Sequence, residues 1–269
     1  MIVSALFLVT ASLYAIACVL YFIYTLRGEE SLGSRAPAAL FLAILSHVAF
    51  LVGDYAVAGH IPTTNIQQTL AVASLLIAIG YLVAMRKHKL AALGAFITPL
   101  TLLFLLGAGF GSNIAQVPAG VRSIILPLHV GVNILGIVAF ALAFAVSIAY
   151  LLQERLLLTK RLGGVFQRLP PLHELDSLGF RLVTIGFPLL TIGIVSGAFF
   201  AARIDEAGST FSMSHLTAYL AWIFFAAVLV LRIAAGWRGR RAAIGTMLGF
   251  FCAILVLVGY ALRGMSGAA

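Results

Sequence analysis

The sequence predicts an all-α polytopic membrane protein of about eight transmembrane helices, with the N-terminus and C-terminus outside. Three observations carry that prediction. Of 269 residues, 62% are hydrophobic and only 9% are charged, against roughly half and a quarter in a soluble domain, so the charges are too few to cover a water-facing surface. Eight apolar runs approach the ~20 residues that cross a hydrocarbon core. The basic residues are also distributed asymmetrically between the loops.

The runs lie near 2–26, 36–58, 66–85, 90–109, 123–152, 180–201, 214–235 and 242–263. Within hydrocarbon the backbone must satisfy its own polar groups, so each run is a helix. The first is too long for a signal-peptide core and lacks a basic leader, so it reads as a retained helix. The second carries His47 and Asp54, seven residues apart on one helical face. The third follows the loop Gly59-His60-Ile61-Pro62. Pro99 in the fourth and Pro188 in the sixth are expected to kink their helices. The fifth opens with Pro127-Leu128-His129 and has Asn133 one turn on. The sixth contains Gly193-x-x-x-Gly197, with Gly186 about two turns earlier, a spacing for close helix packing. The seventh starts at His215, and the eighth ends near Arg263.

With the N-terminus outside, the inner loops and helix ends hold 14 of the 17 Lys and Arg residues, leaving Arg122, Arg203 and Arg263 outside. The opposite orientation would invert this bias. It also accounts for the net charge of +9 without a nucleic-acid partner, since the basic clusters lack aromatic interleaving. The chain therefore reads as a single membrane domain, 1–269. Within it, 153–179 is a cytoplasmic amphipathic connector: an extension of the fifth helix, a Gly163-Gly164 break, and a stretch at the membrane surface in contact with lipid. It is either a solvated connector or a site for a docking partner.

Ionisable residues inside spans are costly and are functional candidates by default. His47, near mid-bilayer, is either a neutral histidine bonded to a neighbouring helix, or a haem-iron ligand or proton relay. His129, at the outer end of its helix, suits axial ligation by a neutral nitrogen or an interhelical hydrogen bond. His60, His129 and His215 fall on the same outer side. His88 and His173 lie among inner charges and read as surface residues. The pairs Glu29-Glu30 and Asp205-Glu206 sit in hydrophilic turns. Cys18 and Cys252 fall inside apolar runs without a CxxC pair, as small packing residues. Neither a phosphate-binding loop nor a nucleophile elbow is present.

Several segments resemble one family. Gly59-His60-Ile61-Pro62 followed by Asn65 is similar to the GHxPxxNxYE segment of cytochrome c assembly proteins of the CcsA/ResC type. Leu126-Pro127-Leu128-His129-Val130 and Asn133-Ile134-Leu135-Gly136 look like that family's histidine-bearing helix. Ala149 to Arg155, Leu169 to Leu172 and Ile185 to Gly193 look closest to its HemX/YpjD-like branch. The resemblance implies haem handling in the bacterial cytoplasmic (inner) membrane, in support of cytochrome c maturation or haem homeostasis. It implies non-covalent, b-type haem, with His129 and His60 as iron ligands and His215 or Met265 as alternatives opposite His129; His47 remains a candidate from its mid-bilayer position alone. Partners it implies are other maturation proteins, apocytochrome c or, for HemX-type members, glutamyl-tRNA reductase.

Departures from the family pattern are definite. In place of WDPKE the chain has Phe211-Ser212-Met213-Ser214-His215, while Trp222 matches a downstream tryptophan and remains a candidate for stacking on a porphyrin. Histidines expected near 230 and 265 are Val230 and Met265, and Gln67-Gln68 replaces the closing YE. The chain is therefore expected to be an assembly factor rather than an enzyme. Two rival readings stand beside this one. The first is a haem-free scaffold that docks a haem-biosynthesis enzyme through 153–179. The second is a small-solute or proton-coupled transporter using His47 and Asp54.

Overall fold

A computed structural model describes residues 2–58, 66–87, 90–109, 125–204 and 213–266. The described residues are helical apart from short turns. In chain order they form α1 (Ile2–Arg27), α2 (Glu30–Ala58), α3 (Ile66–Lys87), a 3-10 turn at Ala91–Leu93 leading into α4 (Gly94–Gly109), α5 (Ile125–Leu158), the single turn α6 (Val165–Arg168), α7 (Leu172–Ile204), α8 (Met213–Ala234) and α9 (Arg240–Ser266). The eight long helices follow the order of the eight apolar runs. Among the described residues, six are long and apolar enough to cross a membrane, and α8 adds a shorter apolar stretch at Ala218–Ala234. The chain is an all-α, multi-pass membrane protein.

Two helices start well before their apolar runs. α2 begins at Glu30 rather than 36, and α7 at Leu172 rather than 180. In both, the added residues include charged side chains, which hydropathy alone does not assign to a span. The carboxylate of Glu30 in the first turn of α2, and that of Glu174 in α7, also oppose the positive end of the helix dipole. Segment 153–179 therefore divides into the end of α5, a turn with Gly164 at φ +57°, α6, and the start of α7.

The helices pack in two groups. α1 lies between α2 and α4, and α3 packs on α4; α5 joins this group through α3 and is flanked by α7 and α9, with α8 against α9 and α7. Tyr14, Tyr21 and Tyr81 are buried in the first group, with Tyr21 and Tyr81 edge to face at 5.6 Å. In the second group Phe140 of α5 stacks on Phe225 of α8 at 3.6 Å between centroids. Leucines, valines and isoleucines on the outer faces, such as Val195 and Val230, are exposed, as expected where the solvent is lipid.

The end of the bundle that carries Arg168 and Arg232 is tied by two polar knots. Arg168 of α6 donates to the carbonyls of Thr25 (2.9 Å), Leu26 (2.9 Å) and Arg27 (3.1 Å), capping the last turn of α1. Gly28 follows in the left-handed region at φ +74°, and any Cβ there would collide with the guanidinium. In the second knot, Asp176 pairs with Arg232 at 2.6 Å and accepts the Gly239 N–H at 2.9 Å, which binds α7 to the α8–α9 turn. Gln153 donates to the Phe166 carbonyl at 3.1 Å, holding α6 against α5.

Candidate functional site

α5 and α7 form an antiparallel pair that brings the first turns of α5 against the last turns of α7. Glycines set how near the two helices come. At Gly186 an added Cβ would lie 2.9 Å from the Phe140 ring and 3.2 Å from the Ala139 Cβ, so the backbones can approach only without it. Two turns further along, the space above Gly193 and Gly197 is filled by polar side chains rather than apolar ones. The Asn133 amide occupies the place of a Gly193 Cβ, and His129 Cε1 sits 3.2 Å from that of Gly197. The small-residue spacing of α7 is thus a cradle for His129 and Asn133.

Between those glycines stands Ser196. Its hydroxyl lies 2.6 Å from His129 Nδ1, and also 2.6 Å from the Ile192 carbonyl and 3.1 Å from that of Gly193. Asn133 donates from Nδ2 to the His129 carbonyl at 2.8 Å, which fixes its amide orientation. The same nitrogen is 3.2 Å from Nε2 and 3.4 Å from Nδ1, leaning on the ring between them. His129 is half-buried at the end of the bundle remote from Arg168 and Asp176. An imidazole oriented in this way would be chemically suited to give a ring nitrogen to a haem iron. Among the described residues no group of three His, Cys, Asp or Glu could hold a bare metal ion.

The other candidates are distributed elsewhere. His47 is fully buried in the α1–α2 pair, its Nδ1 3.1 Å from the Tyr14 hydroxyl and its ring against Phe50. Its Nε2 is buried without a hydrogen-bond partner. Asp54 accepts from Gln68 of α3 at 2.9 Å, so His47 and Asp54 turn to different helices, and one of the glutamines that replace YE has a structural use. Trp222 of α8 donates its indole N–H to Thr191 of α7 at 2.9 Å and tilts against Phe187 at 5.5 Å. That ring meets α7 from α8, whereas the cradle of Ser196 meets α5. His60 lies outside the described residues, as do the side chains of His215 and Met265.

Sequence reasoning did not single out Ser196, Tyr14 or Thr191. Each is an ordinary small or aromatic residue inside an apolar run, and only the Gly193–Gly197 spacing signalled a close approach at Ser196.

The family described as cytochrome C assembly protein matches residues 63–265, a span that takes in the cradle and leaves α1 and α2 before it. The cytochrome c biogenesis protein CcsA of Prochlorococcus marinus strain MIT 9312 is 30% identical over 242 residues, covering 80% of this chain and 77% of that protein. CcsA of strain MIT 9301 is 28% identical over 240 residues, with 80% and 77% covered. Among solved structures, the cytochrome c heme lyase CcmF superposes with a TM-score of 0.65 over 98% of this chain at 14% identity, a likeness of fold alone. This chain spans 50% of that lyase's length.

Proposed function

Because this chain belongs to the cytochrome c assembly protein family, we propose that it binds b-type haem non-covalently near the outer surface of a bacterial cytoplasmic membrane, with His129 as an axial ligand, in support of cytochrome c maturation. The observation that carries this reading is the cradle: a histidine held by Ser196 at 2.6 Å in a space that two glycines of the neighbouring helix keep open. Haem, when bound, would supply an iron that takes nitrogen or sulfur donors from the protein. His60 is the foremost second donor, with His215 and Met265 as the others from the sequence.

The chain acts as a carrier or presenter and does not itself form thioether bonds. Support comes from Phe211-Ser212-Met213-Ser214-His215, which stands where the tryptophan-rich segment would lie. Its partners are then apocytochrome c or other maturation proteins. The names of its relatives, which speak of cytochrome c biogenesis, favour these over a haem-synthesis enzyme.

The test is the absorption spectrum of detergent-purified protein, oxidised and dithionite-reduced, beside His129→Ala. A Soret band with sharpened reduced bands, much diminished in the variant, is the expected result. Absence of haem both after purification and after reconstitution with hemin would sink the proposal.

A further inference from the structure

We infer that Ser196 is a positioning residue that locks His129 as the Nδ1–H tautomer, leaving Nε2 as its donor atom. This deepens the proposed function and rests on it only for the identity of the ligand.

A serine hydroxyl has one proton to give. Ser196 Oγ lies 2.6 Å from the Ile192 carbonyl oxygen, and two oxygens at that distance require a hydrogen between them. The carbonyl has no proton, so the serine gives its own. Its oxygen then has only lone pairs for His129 Nδ1, also at 2.6 Å, and that nitrogen must carry the hydrogen.

A second residue of α7 shows the same device with no ambiguity. Thr191 donates to the Phe187 carbonyl at 2.8 Å and meets the Trp222 indole nitrogen at 2.9 Å. An indole N–H is a donor only, so the threonine oxygen there accepts. Helix α7 thus presents two back-bonded hydroxyls as acceptors to ring N–H groups, one toward α8 and one toward α5.

Asn133 steadies the ring without selecting a tautomer: its Nδ2 donates to the His129 carbonyl at 2.8 Å and lies 3.2 Å from Nε2 and 3.4 Å from Nδ1. A hydrogen bond from Nδ1–H also makes the ring a better electron donor through Nε2.

The first measurement needs no haem. Long-range 1H–15N spectra of the protein with 15N-labelled histidine, beside His129→Ala for assignment, are expected to show His129 protonated at Nδ1 alone. Ser196→Ala should convert it to the Nε2–H form or a mixture, and Ser196→Thr, which keeps the hydroxyl, should restore Nδ1–H. A wild-type His129 protonated at Nε2 or at both nitrogens, or a pattern unchanged in Ser196→Ala, overturns the inference even if His129 proves to be a haem ligand.

Hemin titration then reads the consequence. Loss of an outer-shell partner typically weakens binding by about 10–100-fold, so Ser196→Ala should bind hemin at least ~10-fold more weakly and with a higher reduction potential than wild type. Equal losses in Ser196→Ala and Ser196→Thr would mean that packing alone is at work and would overturn the inference. If instead His129→Ala retained full hemin binding, the proposed function would fall while the tautomer assignment stood on the spectra.

Discussion

The Tyr14–His47 pair shows how a single residue can be both well placed and poorly satisfied. One nitrogen of the buried imidazole meets Tyr14, and the other has no partner. Leaving a buried polar atom unpaired costs about 1–3 kcal/mol, whereas replacing both partners by apolar groups can be nearly neutral. Tyr14→Phe should therefore destabilise the protein by about 1–2 kcal/mol, and the double variant Tyr14→Phe/His47→Leu by less than that. Thermal unfolding in detergent checks this, and a double variant costing the sum of the two singles would contradict it. The same double variant should retain its Soret band, because α2 packs on α1 and α3 and away from the His129 cradle; a lost band would make His47 a ligand. His129 was legible from its place after Pro127-Leu128, and Asn133 from its spacing. Ser196 was not, because a serine in an apolar helix differs little from the alanines and glycines around it until the neighbouring helix is in place.

At the scale of elements, glycines of apparently equal standing separate into two kinds. Gly186 has Phe140 and Ala139 within 3.2 Å of a would-be Cβ, whereas Gly131 has nothing within 4 Å. Gly186→Ala should push α5 and α7 apart at a cost of about 1–3 kcal/mol. Gly131→Ala, in the same helix pair, should stabilise by roughly 0.5–1 kcal/mol through helix propensity. Comparison of their melting temperatures tests the packing directly. The helices themselves were readable from eight apolar runs, since hydrocarbon leaves the backbone no alternative. Their ends were less so. Past the bilayer, hydropathy stops marking the helix, and only first-turn charge and capping govern where α2 and α7 begin. Nor does an apolar run state its neighbours: that α1 lies between α2 and α4 depends on the fit of Tyr14 and Tyr21, which periodicity does not show.

For the whole molecule, the Asp176 knot joins α7 to the α8–α9 turn, and its geometry predicts a local loosening when it is broken. Asp176→Ala leaves the Arg232 guanidinium and the Gly239 N–H without their shared acceptor. A charged hydrogen bond is worth about 1.5–3 kcal/mol, reduced here because both side chains retain some solvent access. Limited proteolysis should cut faster near Trp237 in this variant, with the His129 end unaffected. Membrane orientation is testable independently: a reporter active only outside the cytoplasm should work when fused after Ala269 and fail when inserted at Gly163. The Arg168 cap bears on how the chain is made. Its carbonyl partners, at residues 25 to 27, lie 141 to 143 positions earlier in the chain. At about 5–20 residues per second on the ribosome, the end of α1 waits roughly 7–28 s for its guanidinium. The first hairpin therefore persists with a provisional terminus, completed only once α6 has been synthesised.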